Sequence, residues 1–188
     1  MCADGFFGNS LDGTKSDCQK CPCPEGATCA QTKLIAEGGA ESSDVTCFDC
    51  PSGSTGNRCE KCQTDFFGDP LNGRPCQKCN CNGNMEPGVP GNCEGVTGEC
   101  KKCLHYTKGY NCQACELGTY GNPLASSQEQ GWKGCKNCGC NPDGTKAGED
   151  NCNQDDGQCK CKNGVGGKHC EICLEGYYGH GEEEGCLE

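Results

Sequence analysis

Apolar residues are thinly scattered along this chain, mostly standing singly or in adjacent pairs such as Phe6-Phe7, Phe66-Phe67 and Tyr177-Tyr178. Nowhere do they recur with the spacing of an amphipathic helix of useful length, and no run is long or apolar enough to span a membrane. Glycine at 31 positions and proline at 9 punctuate the rest. The pattern therefore predicts turns and irregular loops with only short two-stranded ribbons between them. The stretch from Ala30 to Thr46, with its Glu37-Gly38-Gly39-Ala40-Glu41-Ser42-Ser43 run, has the composition of a mobile loop.

Such a chain lacks the material for a shared core. Of 188 residues, 32% are hydrophobic, but 26 of the residues counted are cysteine. Without them about 18% of the chain is apolar, too little for one hydrophobic core. An even number of cysteines at this density points to disulfides, each worth ~2–4 kcal/mol, as the replacement for burial. Disulfides persist where cytosolic reductants do not reach, so a secreted, extracellular location is expected. Met1 stands directly before Cys2 with no basic start or apolar run, which suggests a start placed within a longer chain. No Asn-x-Ser/Thr acceptor occurs, so the surface is open to protein contacts. Net charge is −11, and the nearest thing to a basic cluster is the Lys101, Lys102 pair. Two lysines make a solvated surface, which argues against nucleic acid and other polyanions as partners.

The cysteines repeat with a period near 58 residues. A Cys-x-Cys opener begins each unit of eight cysteines. The first uses Cys21, Cys23, Cys29, Cys47, Cys50, Cys59, Cys62 and Cys76. The second uses Cys79, Cys81, Cys93, Cys100, Cys103, Cys112, Cys115 and Cys135, and the third Cys138, Cys140, Cys152, Cys159, Cys161, Cys170, Cys173 and Cys186. Cys2 and Cys18 match the last two of a preceding, truncated unit. Four residues after each seventh cysteine stands an aromatic-glycine signature: Phe6-Phe7-Gly8, Phe66-Phe67-Gly68 and Tyr177-Tyr178-Gly179. The middle unit keeps only Thr119-Tyr120-Gly121. Rings at a fixed offset read as packing elements, since little other apolar surface exists.

Metal and redox chemistry deserve weighing, because Cys-x-x-Cys occurs eight times and that spacing can hold zinc or cycle between thiol and disulfide. The register argues against both: Cys29, Cys93 and Cys152 stand alone, and His105, His169 and His180 share no offset in the repeats. Calcium-binding modules place acidic or amide ligands before the first cysteine, whereas Gln19-Lys20, Gln77-Lys78 and Lys136-Asn137 bring lysine there. Asp155 and Asp156 read as a solvated turn. No nucleophile, base and orienter constellation or phosphate-cradling loop stands out, so neither an enzyme nor a cofactor is expected.

Eight cysteines per repeat, opening Cys-x-Cys and closing Cys-x-x-Cys into the next unit, resemble the laminin-type EGF-like module over nearly the whole chain. The resemblance implies a small disulfide-rich fold of tandem modules stacked as a rod, mostly loops with short two-stranded ribbons. Residues 1–20 would be the C-terminal part of a truncated module, and 21–78, 79–137 and 138–188 three modules. It also implies pairing of first with third, second with fourth, fifth with sixth and seventh with eighth cysteine. That gives Cys21 with Cys29, Cys23 with Cys47, Cys50 with Cys59 and Cys62 with Cys76, and likewise later.

Within this family the chain is most similar to the nidogen-binding region of the laminin gamma chain short arm. The spacer between fourth and fifth cysteines is Phe48-Asp49, then Lys101-Lys102, then Lys160 alone, the gamma chain's order, and the first repeat opens Cys21-Pro22-Cys23-Pro24 as the gamma chain does. The second repeat reads Asn84-Met85-Glu86-Pro87-Gly88-Val89-Pro90-Gly91-Asn92-Cys93, similar to the family's nidogen-binding loop. Asn84, Pro87, Gly91 and Asn92 are identical to it. The resemblance implies a nidogen-type β-propeller as partner, docked on Asn84, Met85, Glu86, Pro87, Gly88, Val89 and Pro90, with His105 and Tyr106 from a neighbouring loop. It also implies laminin alpha and beta chains as partners of the remainder of the parent chain, in a basement membrane.

Glu86 replaces the family's shorter acidic contact, Gly88 its second Asn, and Pro90 its Val, while His105 stands where the family has an aromatic. Gly88 is expected to offer no polar contact and to leave the loop flexible, and the loop to lie outside the framework that folds the module. The alternative reading is a rigid spacer in a laminin-like or other matrix or receptor protein.

Overall fold

The computed structural model describes all residues except Met1, Asn9, Asp12, Lys15, Ser16, 36–40, Glu149, Asp150, Glu183 and Glu184; for 32–35, 41–43, 180–182 and 185 it describes the backbone alone. Among the described residues its elements are eight two-stranded antiparallel ribbons, one four-residue α-helix and one three-residue 3-10 helix, Pro70–Asn72, tied by 13 disulfides. No described helix is long and apolar enough to cross a membrane. In each full repeat the first cysteine pairs with the third, the second with the fourth, the fifth with the sixth and the seventh with the eighth. Cys2 pairs with Cys18. Cysteines accordingly supply most of the buried apolar residues.

Two compact units divide the chain. The first comprises Met1–Cys79 and Pro87–Glu99, the second Asn80–Glu86 and Cys100–Glu188.

In the first unit Phe6–Gly8 pairs with Cys18–Lys20, and Phe66–Asp69 with Arg74–Lys78. The longest ribbon corrects the sequence reading. Thr28–Ile35 pairs with Glu41–Phe48 in continuous register, from Thr28 opposite Phe48 to Ile35 opposite Glu41, where composition suggested a mobile loop. Residues 36–40, which carry part of that run, lie outside the described residues. Cys29 faces Cys47 across the ribbon, yet each is bonded elsewhere, to Cys21 and Cys23 respectively. Two disulfides therefore clamp the base of the hairpin from outside it.

The aromatic signature packs as a ring over glycine. Phe66 lies against Gly53, and Phe67 against Gly98, where a Cβ would come within 2.8 Å of the ring. The same rule operates inside the second unit, with Tyr177 on Gly164 and Tyr120 on Gly157, the last pair leaving 2.6 Å for a Cβ. Glycine is required at these positions because only its bare Cα lets a flat ring approach the backbone, which buries aromatic area where little other apolar surface exists.

The second unit contains a core cluster: Tyr120 and Val165 among Cys138, Cys152, Cys159, Cys170 and Cys186. Trp132 meets Tyr120 edge-on with centroids 6.1 Å apart. Lys136 and Lys168 each place an ammonium 4.9 Å from a ring centroid, over Trp132 and Tyr120 respectively. The helix Ser127–Gln130 sits in the long loop closed by Cys115 and Cys135. A capping box starts it, with Ser126 and Glu129 exchanging side-chain and backbone bonds, and left-handed Gly131 stops it.

Candidate functional site

Asn84 opens the loop singled out from the sequence, and its side chain is completely buried in the second unit. Its Nδ2 donates to the carbonyls of Cys112 (3.2 Å) and Pro123 (2.8 Å), and its Oδ1 lies 3.3 Å from His105 Nδ1. Its backbone N–H donates to Cys81 O at 2.8 Å, and its carbonyl accepts from Leu104 N–H at 2.7 Å. One amide side chain thus satisfies three partners from three separate segments. Asn84 therefore cannot be touched by a partner, and the expectation that the whole loop lies outside the folding framework is corrected at this residue. The signal that could have found it is the closeness of Asn84 to Cys81, which ties it to the disulfide frame.

Met85 is half-buried, its sulfur 3.5 Å from that of Cys81, which is in a disulfide and carries no proton to donate. Glu86 is exposed. With Asn84, these two belong to the second unit, as do His105 and Tyr106.

His105 and Tyr106 occupy the centre of the turn Leu104–Thr107, closed by Thr107 N–H on Leu104 O at 3.2 Å. Both are left-handed, with φ of 59° and 54°. Two consecutive residues of this kind are costly for side chains other than Gly, Asn or Asp. The turn is held by Cys135 N–H on His105 O (2.8 Å) and Glu116 N–H on Tyr106 O (2.9 Å). Gly134 packs directly against His105. Tyr106 remains 55% exposed.

Pro87, Gly88, Val89 and Pro90 belong to the first unit. Pro87, Gly88 and Pro90 are exposed and Val89 is half-buried. Gly88 has φ of 77°, and a Cβ built on it meets nothing within 4 Å. Its N–H donates to Asp65 Oδ2 at 2.6 Å. The expectation of a flexible Gly88 is thereby corrected: the backbone is held by a carboxylate 23 residues earlier in the chain. Asp65 was not among the residues singled out from the sequence.

Cys21, Cys23 and Cys29 bring their sulfurs within 4.8 Å of one another. All three are in disulfides, so none offers the thiolate that a metal would need.

The chain matches the family model "Laminin EGF domain" over residues 14–77, 79–135 and 138–186. It is 44% identical to human laminin subunit gamma-1 over 98% of its own length, and 42% identical to laminin-like protein lam-2 of Caenorhabditis elegans over 100%. Human laminin subunit gamma-3 is 38% identical over 98%. The chain spans 11% of the length of each of these relatives.

Proposed function

We propose, from the premise that this chain belongs to the laminin EGF domain family, that it is an adhesive segment that docks a nidogen-type β-propeller through the exposed part of loop 84–90. The chain is a laminin-like segment of a secreted extracellular matrix protein. Basement-membrane residence and assembly of the parent chain with laminin alpha and beta chains belong to the proposal.

The observation that carries the reading is a division of labour within the loop. Asn84 is locked in the core by backbone carbonyls while Glu86 and Gly88 stand exposed. A loop rooted this firmly loses little conformational entropy when a partner closes on it. Glu86 is the loop's single charge and fits a basic or amide-rich pocket. Gly88 is already in the left-handed conformation that Asn tolerates best after Gly, with open space around the missing Cβ. An Asn there would place an amide on the surface without disturbing the backbone.

Calorimetric titration of wild type, Glu86→Ala and Gly88→Asn with a nidogen β-propeller tests the proposal. Glu86→Ala should weaken binding by about 2 kcal/mol or more, and Gly88→Asn should strengthen it. Equal affinities for all three, or none measurable, would leave the chain a rigid spacer.

A further inference from the structure

The residue three places after each seventh cysteine is Gly5, Asp65, Gly118 and Gly176 in turn. All four are left-handed, with φ of 80°, 66°, 74° and 88°. At the three where another repeat follows, the residue's carbonyl accepts the N–H of the next repeat's first cysteine: Cys21 on Gly5, Cys79 on Asp65 and Cys138 on Gly118, at 2.8, 2.8 and 3.0 Å. The backbone role is therefore the same each time, and glycine performs it without strain. Only the first full repeat uses a residue with a side chain. A Cβ on Gly5 would meet nothing, and one on Gly118 only Asn151 Oδ1 at 3.7 Å, so space does not dictate the choice. Asp is disfavoured against Gly in this conformation. Its Oδ1 is also buried with no protein donor in reach, a second cost. What Asp65 adds is the 2.6 Å bond from Oδ2 to the N–H of Gly88.

We infer that Asp65 is a positioning residue for the binding loop: its carboxylate, supplied by the preceding repeat, fixes the backbone at Gly88 in the shape presented to a partner. The inference deepens the proposed function and rests on it for the identity of the partner, but the positioning itself is measurable without one. Asp65 acts through Gly88 and touches no ligand. It also explains how a loop with glycine at its exposed turn stays ordered, because an ionised acceptor makes the stronger class of hydrogen bond. The second junction, where Gly118 brings no carboxylate, is the internal control.

The experiment is amide hydrogen exchange on wild type, Asp65→Gly and Asp65→Asn, followed by binding kinetics with the nidogen β-propeller. Asp65→Gly restores the residue that the other repeats use, so thermal stability should be retained or raised. The Gly88 amide should nevertheless exchange about tenfold faster or more, the equivalent of one charge-assisted hydrogen bond. Asp65→Asn keeps an acceptor and tolerates the left-handed backbone, so Gly88 protection should largely return. Dissociation of the propeller should speed up in Asp65→Gly and recover in Asp65→Asn. Unchanged Gly88 exchange in Asp65→Gly would overturn the inference whether or not the propeller binds. So would a loss of protection spread through the first unit, because Asp65 would then be holding the fold rather than the loop. A wild type that shows the Gly88 effect yet binds no propeller would refute the proposed function alone and leave Asp65's role standing.

Discussion

The first and middle repeats build the equivalent turn from opposite residues, with one left-handed residue in the first, Gly53, and two in the middle, His105 and Tyr106. In the first, Ser54 N–H closes on Pro51 O at 3.0 Å, Gly53 is left-handed, and the ring of Phe66 lies on it. In the middle repeat, Tyr106 stands where Gly53 would be and Thr119, only 3% exposed, where Phe66 would be. The third repeat, with Gly164 under Tyr177, follows the first. At this pair of positions each full repeat carries one ring, on the strand or on the turn. When the ring sits on the strand it is covered, and glycine beneath it carries the left-handed backbone without strain. When it sits on the turn it comes to the surface, and the backbone strain falls on His105 and Tyr106. Strain of this kind persists only where the surroundings fix it, and here the hydrogen bonds from Cys135 and Glu116 do so. The middle repeat thus gives up packing and gains an exposed aromatic beside the residue that locks the loop.

The largest expected effect comes from forcing the middle repeat's choice onto the first. Gly53→Tyr adds a side chain beneath Phe66 and a left-handed non-glycine residue at once, and should destabilise the chain by about 3 kcal/mol. Adding Phe66→Thr should recover most of that loss, because it removes the competing ring. The reverse change, Tyr106→Gly, should raise stability by up to ~1 kcal/mol by relieving the turn. Thermal unfolding with the disulfides intact reads all three. A double variant no more stable than Gly53→Tyr alone would show that the two positions are not coupled and that the exchange between repeats is incidental.

Next in size is the contrast inside the loop. Asn84→Ala leaves the carbonyls of Cys112 and Pro123 without that donor in a buried site, and should cost about 2–3 kcal/mol of stability. Glu86→Ala, at an exposed position, should stay within about 0.5 kcal/mol of wild type. Denaturant unfolding separates them, and an Asn84→Ala chain as stable as Glu86→Ala would mean that the amide does not anchor the loop.

These contrasts also mark what the sequence could disclose. Repeats and module class were legible because cysteine spacing is a one-dimensional signal. The pairing of 28–35 with 41–48 was not, since Glu37 to Ser43 is polar and small. The signal lay in the flanks, where Thr28, Thr32, Ile35, Val45 and Thr46 are β-branched. Asn84 and Asp65 were misjudged or missed for a common reason. Their partners are mainly backbone groups, the carbonyls of Cys112 and Pro123 and the N–H of Gly88, and backbone groups have no residue type to recognise. Asp65 did leave a trace, as the one non-glycine at its offset among four repeats, but that trace acquires meaning only once the φ angles are known.

The smallest expected effect lies at the hairpin and concerns acid. The Arg58 guanidinium donates to Asp44 Oδ1 at 3.0 Å, and Val45 N–H donates to the same oxygen at 2.8 Å. The side-chain bond from Arg58, with the smaller help of Val45, holds the Asp44 carboxyl below its ordinary value. Because the folded value is the depressed one, the pair supports the hairpin fully above the unfolded carboxylate value near ~3.9 and stops doing so as the pH falls through the lower folded value. Both side chains are well exposed, at 49% and 42%, so water and salt screen the pair and its contribution is slight. A titration that follows the Asp44 side chain by NMR should place its midpoint below that of the same group in Arg58→Ala, where the carboxyl should rise towards the ordinary value. Added salt should narrow the gap, because part of the attraction is a screened surface charge. Coincident midpoints for the two chains would show that Arg58 contributes nothing at Asp44, leaving the clamp of the Cys21–Cys29 and Cys23–Cys47 disulfides to hold the hairpin's base.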